Sequence, residues 1–315
     1  MLTKSMMGRL GNQMFQYATM RALQEHYYPD EILNLSFKFT TRGGKVEDGF
    51  CNQLNVFRLN QEKIVFDQKA SLDLRQKLLL LRYFFERKMI KIFSKKASYN
   101  LKKRDYEKRI QEKYNKHGLY LFSYGYYDFK KSNKKNKFSL GFMESPKYFD
   151  DIRDLLLDEF TPVEPPSKAN NNLYKEINNS NSICVSIRRG DYLSDRFKDS
   201  ALVCDGRYFD QAIELAKKKI KNARFVVFSD DIDWVKKNMN FPEGTLYESG
   251  KDSLGEKMRL MYSCKHFIIS NSSFSWWAQY LSRNEKKVVI APSIWRKVGY
   301  DGRDLYNEKW ELIKC

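Results

Sequence analysis

Several chemistries depend on residues of which this chain has few. The five cysteines among its 315 residues, at 51, 184, 204, 264 and 315, are odd in number, widely spaced and without a C-x-x-C pair. That argues against a disulfide framework and against a zinc site, and reduced thiols are expected. Three histidines, His26, His117 and His266, are too scattered for a His-rich metal constellation, so metal chemistry would need carboxylates. With only seven prolines and 42% hydrophobic residues, the chain can bury one large core or two ordinary ones, and it reads as two domains. There is no apolar run of about 18 residues or more, and Met1-Leu2-Thr3-Lys4-Ser5-Met6-Met7 is too short and polar for a signal peptide, so a cytosolic protein is expected.

Positive charge, by contrast, is abundant. A net charge of +18 calls for an anionic partner, whether nucleotide phosphates, nucleic acid or an acidic membrane surface, and charge alone does not choose among them. Much of the excess lies in stretches such as Lys95-Lys96, Lys102-Lys103-Arg104 and the run from Lys130 to Lys137. A solvated lysine-rich surface accounts for these more readily than membrane docking does.

After Met6, the segment Gly8-Arg9-Leu10-Gly11-Asn12-Gln13 joins a weak opening strand to an amphipathic helical pattern, a β-turn-α unit. Residues 73–114 are helical and strongly basic in pattern, 120–129 read as a strand or loop, and a short helix is expected over 150–160. The stretch Thr161-Pro162-Val163-Glu164-Pro165-Pro166 through Asn170-Asn171-Asn172 interrupts both periodicities and marks the boundary between domains 1–160 and 161–315. Beyond it, strand candidates at 183–187, 225–228, 267–269 and 288–290 alternate with helical patterns near 206–220, 232–239, 253–264 and 274–283. That alternation predicts a mainly parallel, doubly wound α/β sheet.

In such sheets ligands bind beyond the C-terminal strand ends. Three expected strands end in polar clusters: Arg188-Arg189-Gly190-Asp191-Tyr192, Ser229-Asp230-Asp231 and Ser270-Asn271-Ser272-Ser273. Arg188 and Arg189 suit a diphosphate clamp through charge-assisted hydrogen bonds; a plain salt bridge to Asp191 is the competing account. Ser272 and Ser273 place hydroxyls and N–H groups at a helix N-terminus, which suits either phosphate binding or simple capping. Asp230 and Asp231 match the donor edge of guanine, while Asp231-Ile232-Asp233 also has the D-x-D spacing that can hold Mn²⁺ against a diphosphate. Gly8-Arg9-Leu10-Gly11 lacks the third glycine of a dinucleotide fingerprint.

Taken in order, Gly8-Arg9-Leu10-Gly11-Asn12-Gln13-Met14-Phe15-Gln16-Tyr17-Ala18, Ile187-Arg188-Arg189-Gly190-Asp191-Tyr192, Phe228-Ser229-Asp230-Asp231 and Ser270-Asn271-Ser272-Ser273-Phe274-Ser275-Trp276-Trp277 resemble the motif series of bacterial α-1,2-fucosyltransferases, glycosyltransferase family 11. Val288-Val289-Ile290-Ala291-Pro292 extends the match, and the lysine-rich middle does not contribute. The resemblance implies a GT-B-like α/β fold of two Rossmann-type domains facing across a cleft, the N-terminal one on the acceptor side and the C-terminal one binding GDP-fucose. It implies Arg188 at the β-phosphate and leaving oxygen, with Arg189 beside it; Ser272, Ser273 and Phe274 at the phosphates; Asp230 at guanine; and Arg9 and Asn12 at the fucose. Ser186 stands where the family usually has histidine.

The expected activity is inverting transfer of L-fucose to a galactose hydroxyl, without metal or other cofactor. Arg188 would stabilise the leaving group, and Asp191 would serve either as base or as the group orienting the arginines. The expected acceptor is a galactose-containing oligosaccharide or lipid-linked glycan, with peripheral contact to an anionic inner membrane and no nucleic acid. Transfer of another GDP-deoxysugar such as colitose, a catalytically dead sugar-binding module and a basic nucleic-acid-binding protein are the alternatives.

Overall fold

The computed structural model describes residues 1–38, 51–195, 198–299 and 301–315. They form two α/β units. The first comprises Met1–Asn55, Leu59–Glu159 and Val298–Leu305; the second comprises Val56–Arg58, Phe160–Lys297 and Tyr306–Cys315.

The first unit contains β1 (Leu2–Ser5), α1 (Leu10–Tyr27), β2 (Leu33–Ser36), β3 (Ile64–Phe66), α2 (Leu74–Ile92), α3 (Lys96–Lys116), β4 (Leu119–Leu121), β5 (Lys137–Leu140) and α4 (Arg153–Glu159). Its sheet runs β3-β2-β1-β5-β4 with every pair parallel, so β1 is central, Leu2 lying opposite both Leu33 and Lys137. A central parallel strand is covered on both faces, and all four residues of β1 are buried. One of them is Lys4, whose Nζ donates to the Gly141 carbonyl at 2.7 Å and whose burial pushes its ammonium well below the ordinary lysine range. The helical stretch expected over 73–114 is two helices. Asp73 and Gln76 start α2 with a reciprocal capping box, and the chain leaves helical geometry at Phe93 to restart after an extended Lys95. Neither glycine nor proline marks this break; the return packing of α3 on α2 imposes it, with the Tyr83 and Tyr106 rings stacked 6.1 Å between centroids.

The second unit contains α5 (Asn171–Asn179), β6 (Asn181–Ile187), α6 (Lys198–Ala201), α7 (Gly206–Lys219), β7 (Ala223–Ser229), α8 (Ile232–Asn238), β8 (Leu246–Tyr247), α9 (Leu254–Ser263), β9 (His266–Ile269), α10 (Ser273–Leu281), β10 (Val289–Pro292) and β11 (Glu311–Ile313). All pairs are again parallel, in the order β11-β10-β9-β6-β7-β8. Successive strands grow outward from β6 on one side, then from β9 on the other, so the order reverses between β6 and β9. Side-chain caps start two of its helices: Asp205 accepts from the Tyr208 N–H for α7, and Ser253 from the Glu256 N–H for α9. The buried side of α7, with Tyr208, Phe209, Ala212, Ile213 and Ala216, joins the sheet residues Val185, Val227 and Ile268 in one core.

The division differs in detail from one at residue 160. Phe160 packs in the second unit, its ring 5.2 Å from Phe57 and 5.1 Å from Trp277, and the proline-rich stretch read as a linker is tied down there by the Arg58 N–H to the Thr161 carbonyl and the Val163 N–H to the Val56 carbonyl. Val298–Leu305, expected in the C-terminal domain, belongs to the first unit, where Asp304 accepts from the Tyr126 N–H and pairs with Lys147. Linear boundaries miss such excursions because a few residues joining a distant core leave no compositional mark.

A buried network in the first unit carries a measurable signature. Glu107, fully buried, accepts from the Tyr83 hydroxyl at 2.6 Å and the Ser123 N–H at 2.7 Å, and lies 3.7 Å from Lys103. Burial holds the Lys103 ammonium down to about 8, with Glu107 opposing and Arg87 assisting. A lysine depressed on folding is protonated in the unfolded chain but not in the native one between its two values, so its contribution to stability grows as pH rises from about 8 toward 10. Urea midpoints measured across that range should rise more for the natural chain than for Lys103→Met; identical profiles would show that Lys103 is not depressed.

Candidate active site

The strand order reverses between β6 and β9, and doubly wound sheets bind ligands beyond the carboxyl ends of the strands at such a point. Arg188 and Arg189 leave β6 there, and Asn271, Ser272 and Ser273 leave β9. Arg188 is half-buried between two carboxylates: Nε and Nη2 donate to Asp191 Oδ1 at 3.1 and 2.6 Å, and Nη1 lies 2.8 Å from Asp230 Oδ2. Burial works against the guanidinium charge, and Asp230 and Asp191 outweigh it, so Arg188 is held firmly protonated. These contacts use three of the five N–H groups a guanidinium carries. The Arg188–Asp191 salt bridge is therefore present, but it does not exhaust the arginine.

Arg189 is arranged differently. Its backbone N–H donates to Asp230 Oδ1 at 2.9 Å, its Nε to Asp231 Oδ2 at 3.3 Å, and its guanidinium lies over the Trp234 ring, 3.1 Å from the centroid. Asp230 thus binds Arg188 with one oxygen and the next peptide with the other, which fixes the turn. Gly190 makes room for it, since a Cβ at that position would stand 2.3 Å from Asp230 Oδ2. Of the D-x-D alternative, Asp231 is engaged by Arg189 and Asp233 lies in the first turn of α8. Among the described residues no group of three or more His, Cys, Asp or Glu side chains is arranged to hold a metal ion.

On the β9 side, Ser272 occupies the N-cap of α10 without making a side-chain cap, so simple capping does not account for it. Asn271 instead holds the turn, donating to the carbonyls of Ala201 at 2.7 Å and Trp295 at 3.0 Å. Tyr192 links the two strand ends: its hydroxyl donates to the Asn271 carbonyl at 3.0 Å while its ring lies 5.7 Å from the Arg188 guanidinium. Phe274, partly buried, sits in the first turn of α10, and Trp276 and Trp277, 2% and 0% exposed, are core residues on which no base can stack.

Of three further supports, only Ser186 is marked in the sequence, as the residue at the family's histidine position. Ser186 shares a hydrogen bond with Ser275 at 2.7 Å, and Ser275 with Ser270 at 3.1 Å, a buried hydroxyl chain joining β6 to α10 in place of the family histidine. Glu248 accepts from the Ser229 N–H at 2.7 Å and pairs with Lys257 at 2.9 Å; burial pushes its carboxyl above the ordinary range, with Lys257 and the Ser229 N–H opposing. It follows a two-residue strand too short to show alternation, so it carried no signal. Trp234, under the Arg189 guanidinium, is the third.

In the first unit, Gly8 adopts φ +75°, and a Cβ there would stand 2.6 Å from Asn12 Nδ2. The turn after β1 is braced by two glutamines: Gln13 donates to the Gly8 and Cys51 carbonyls, and Gln16 exchanges bonds with both polar groups of the Met7 backbone. Gln53 accepts from the Leu10 N–H at 2.6 Å. Arg9 is left exposed at the N-cap of α1, with Asn12 half-buried one turn on.

The profile of Glycosyl transferase family 11 matches residues 1–314. The chain belongs to that family. This family 11 chain is 31% identical to an α-1,2-colitosyltransferase of Escherichia coli over 98% of its own length and 97% of the relative's. It is 28% identical to the O-antigen biosynthesis glycosyltransferase WbnK of Escherichia coli, over 91% of this chain and 92% of that one. With galactoside α-(1,2)-fucosyltransferase 1 of Sus scrofa the identity is 32%, over 33% of this chain and 29% of the relative. The protein is a glycosyltransferase, and its described residues include no helix long and apolar enough to cross a membrane.

In this glycosyltransferase, Gly190→Ala should displace Asp230 from Arg188 and lower the transfer rate about 100-fold, the scale expected for an ångström of misplacement, with the circular dichroism spectrum of the folded chain retained. An undiminished rate would show that the close approach of Gly190 to Asp230 is dispensable.

Proposed function

We propose that this protein is an inverting glycosyltransferase that moves L-fucose from GDP-β-L-fucose to a hydroxyl, O-2 of galactose, in an oligosaccharide acceptor. The observation carrying the reading is the pairing, at one switch point, of a carboxylate-held arginine pair with an N-cap serine that does not cap its helix. The acceptor hydroxyl attacks the anomeric carbon as the bond to the β-phosphate oxygen breaks, in one displacement with inversion, and the hydroxyl proton leaves to water. Negative charge grows on the departing GDP, and the remaining Arg188 N–H groups and the first turn of α10 at Ser272, Ser273 and Phe274 meet it as preorganised donors, without a metal. Arg189 supports the diphosphate, while Asp230, with one oxygen on Arg188 and the other on the Arg189 peptide, holds the arginines rather than meeting the guanine. Asp191 commits Oδ1 to Arg188, which favours its role as the group that orients the arginine over that of base.

Colitose is the second reading for the donor, favoured by the 31% identity to a colitosyltransferase along nearly the whole chain. Colitose lacks the 3-hydroxyl of fucose, and a site that hydrogen-bonds a hydroxyl rejects the analogue without it far more strongly than an apolar pocket rejects an added one. The deciding measurement incubates the purified protein with GDP-fucose or GDP-colitose and a panel of galactosides, in EDTA, following GDP release and product mass. Fucosylated galactoside is expected. Colitosylated product alone would move the donor to the second reading, no product from either would overturn both, and product only after adding Mn²⁺ would overturn the metal-free mechanism.

The role given to Asp191 has its own test. Asp191→Asn should weaken GDP binding and slow transfer together, each by roughly tenfold or more, because a mispositioned Arg188 serves both. Transfer lost at full GDP affinity would identify Asp191 as the base.

A further inference from the structure

Helix α2 has two apolar faces, and only one is used by the fold. Leu79, Leu80 and Tyr83 pack into the core with Tyr106, Tyr114 and the strand residues Leu119 and Leu121. Leu74, Leu78, Leu81, Phe85 and Ile92 point away from it. At 3.6 residues per turn these five fall within about 60° of arc, a continuous stripe rather than scattered exposure. Leu74, Leu81 and Phe85 are 73, 66 and 64% exposed, and Phe93, just past the helix end, is 74% exposed. Exposing so many large apolar side chains on one helix face costs solubility and contributes nothing to packing, so the stripe calls for a partner.

The charges beside it identify the partner. Lys77, Lys88 and Lys91, all exposed, follow one edge of the stripe, Arg82 lies on the other, and Lys95 follows at its end. None of the four lysines has an acidic partner among the described residues. The one acidic residue between positions 74 and 95, Glu86, is held by Arg82 at 2.7 Å. A second copy of this chain is a poor occupant, because a twofold contact would set the same lysines against their equivalents, and the centres of protein interfaces are depleted in lysine. Nucleic acid would match the lysines and leave the leucines wet. An anionic bilayer satisfies both: leucine and phenylalanine enter the boundary of the acyl region while lysines extend to the headgroup phosphates. At about 28 Å for 19 residues, α2 has the length to lie in that plane. We propose that the exposed face of α2 docks the protein on an anionic lipid surface.

Sedimentation of the full chain with vesicles tests this, using phosphatidylcholine alone and a 7:3 mixture with phosphatidylglycerol at 0.15 M salt as the probes. Partition should be at least tenfold stronger to the mixed vesicles. Lys77→Gln, Lys88→Gln and Lys91→Gln together should weaken it by roughly fivefold per lysine on the mixed vesicles only. Leu81→Ser with Phe85→Ser should weaken it tenfold or more, with melting temperatures unchanged because these positions face solvent. Equal partition of the natural and serine-substituted chains would overturn the proposal. So would a natural chain that ignores vesicles but sediments as a dimer, returned to monomer by Phe85→Ser, since the stripe would then be a self-association surface.

Discussion

Arg188 stands half-buried at the end of a strand whose other residues are almost wholly enclosed, and a charge in that position needs partners. Asp191 and Asp230 supply them from opposite directions, one from the same turn and one from the end of the neighbouring strand β7. Much of the second unit's strand-end architecture follows from that arrangement. Gly190 must lack a side chain so that Asp230 can approach, the Arg189 peptide is pinned by the second Asp230 oxygen, and Arg189 is turned onto Asp231 and Trp234. The carboxylates hold the guanidiniums in place before any ligand arrives. That is what electrostatic catalysis requires of its donors, since groups already oriented need no rearrangement as charge develops.

A second layer supports this first one. Glu248 and Lys257 fix the Ser229 peptide from behind, and the Ser186–Ser275–Ser270 chain ties β6 to the first turn of α10. Through Ser186 and Ser275, hydroxyl hydrogen bonds connect the two strands that flank the switch point. Asn271 and Tyr192 bind the same ends together from above the sheet edge, so the turn that carries Ser272 is held by side chains other than its own. An N-cap residue relieved of capping keeps its hydroxyl for other use.

Strands β6, β7, β9 and β10 and helices α7 to α10 were legible because short apolar runs alternate there with helical patterns, and the polar clusters after 187, 229 and 269 stood out against those runs. Other features left weaker marks. The division of α2 from α3 has no glycine or proline at Phe93–Lys95, and β8 is two residues long, which hid Glu248. The second apolar face of α2 was present in the sequence as a run of leucines and phenylalanines, but periodicity alone does not separate a helix buried on two sides from one buried on one.

Residue types and their order determined the α/β class, the family and the cluster of arginines, aspartates and serines at strand ends, because these depend on local periodicity and on motifs contained within a few residues. Tertiary structure decided which strands lie side by side, and so that Arg188 and Ser272, more than eighty positions apart, flank one switch point. It also decided that Asp230 serves Arg188, that Ser272 does not cap its helix, and that Val298–Leu305 returns to the first unit. Each of these depends on the spatial neighbour a side chain meets after packing, and strand order is set by the burial of whole faces, which no short segment encodes.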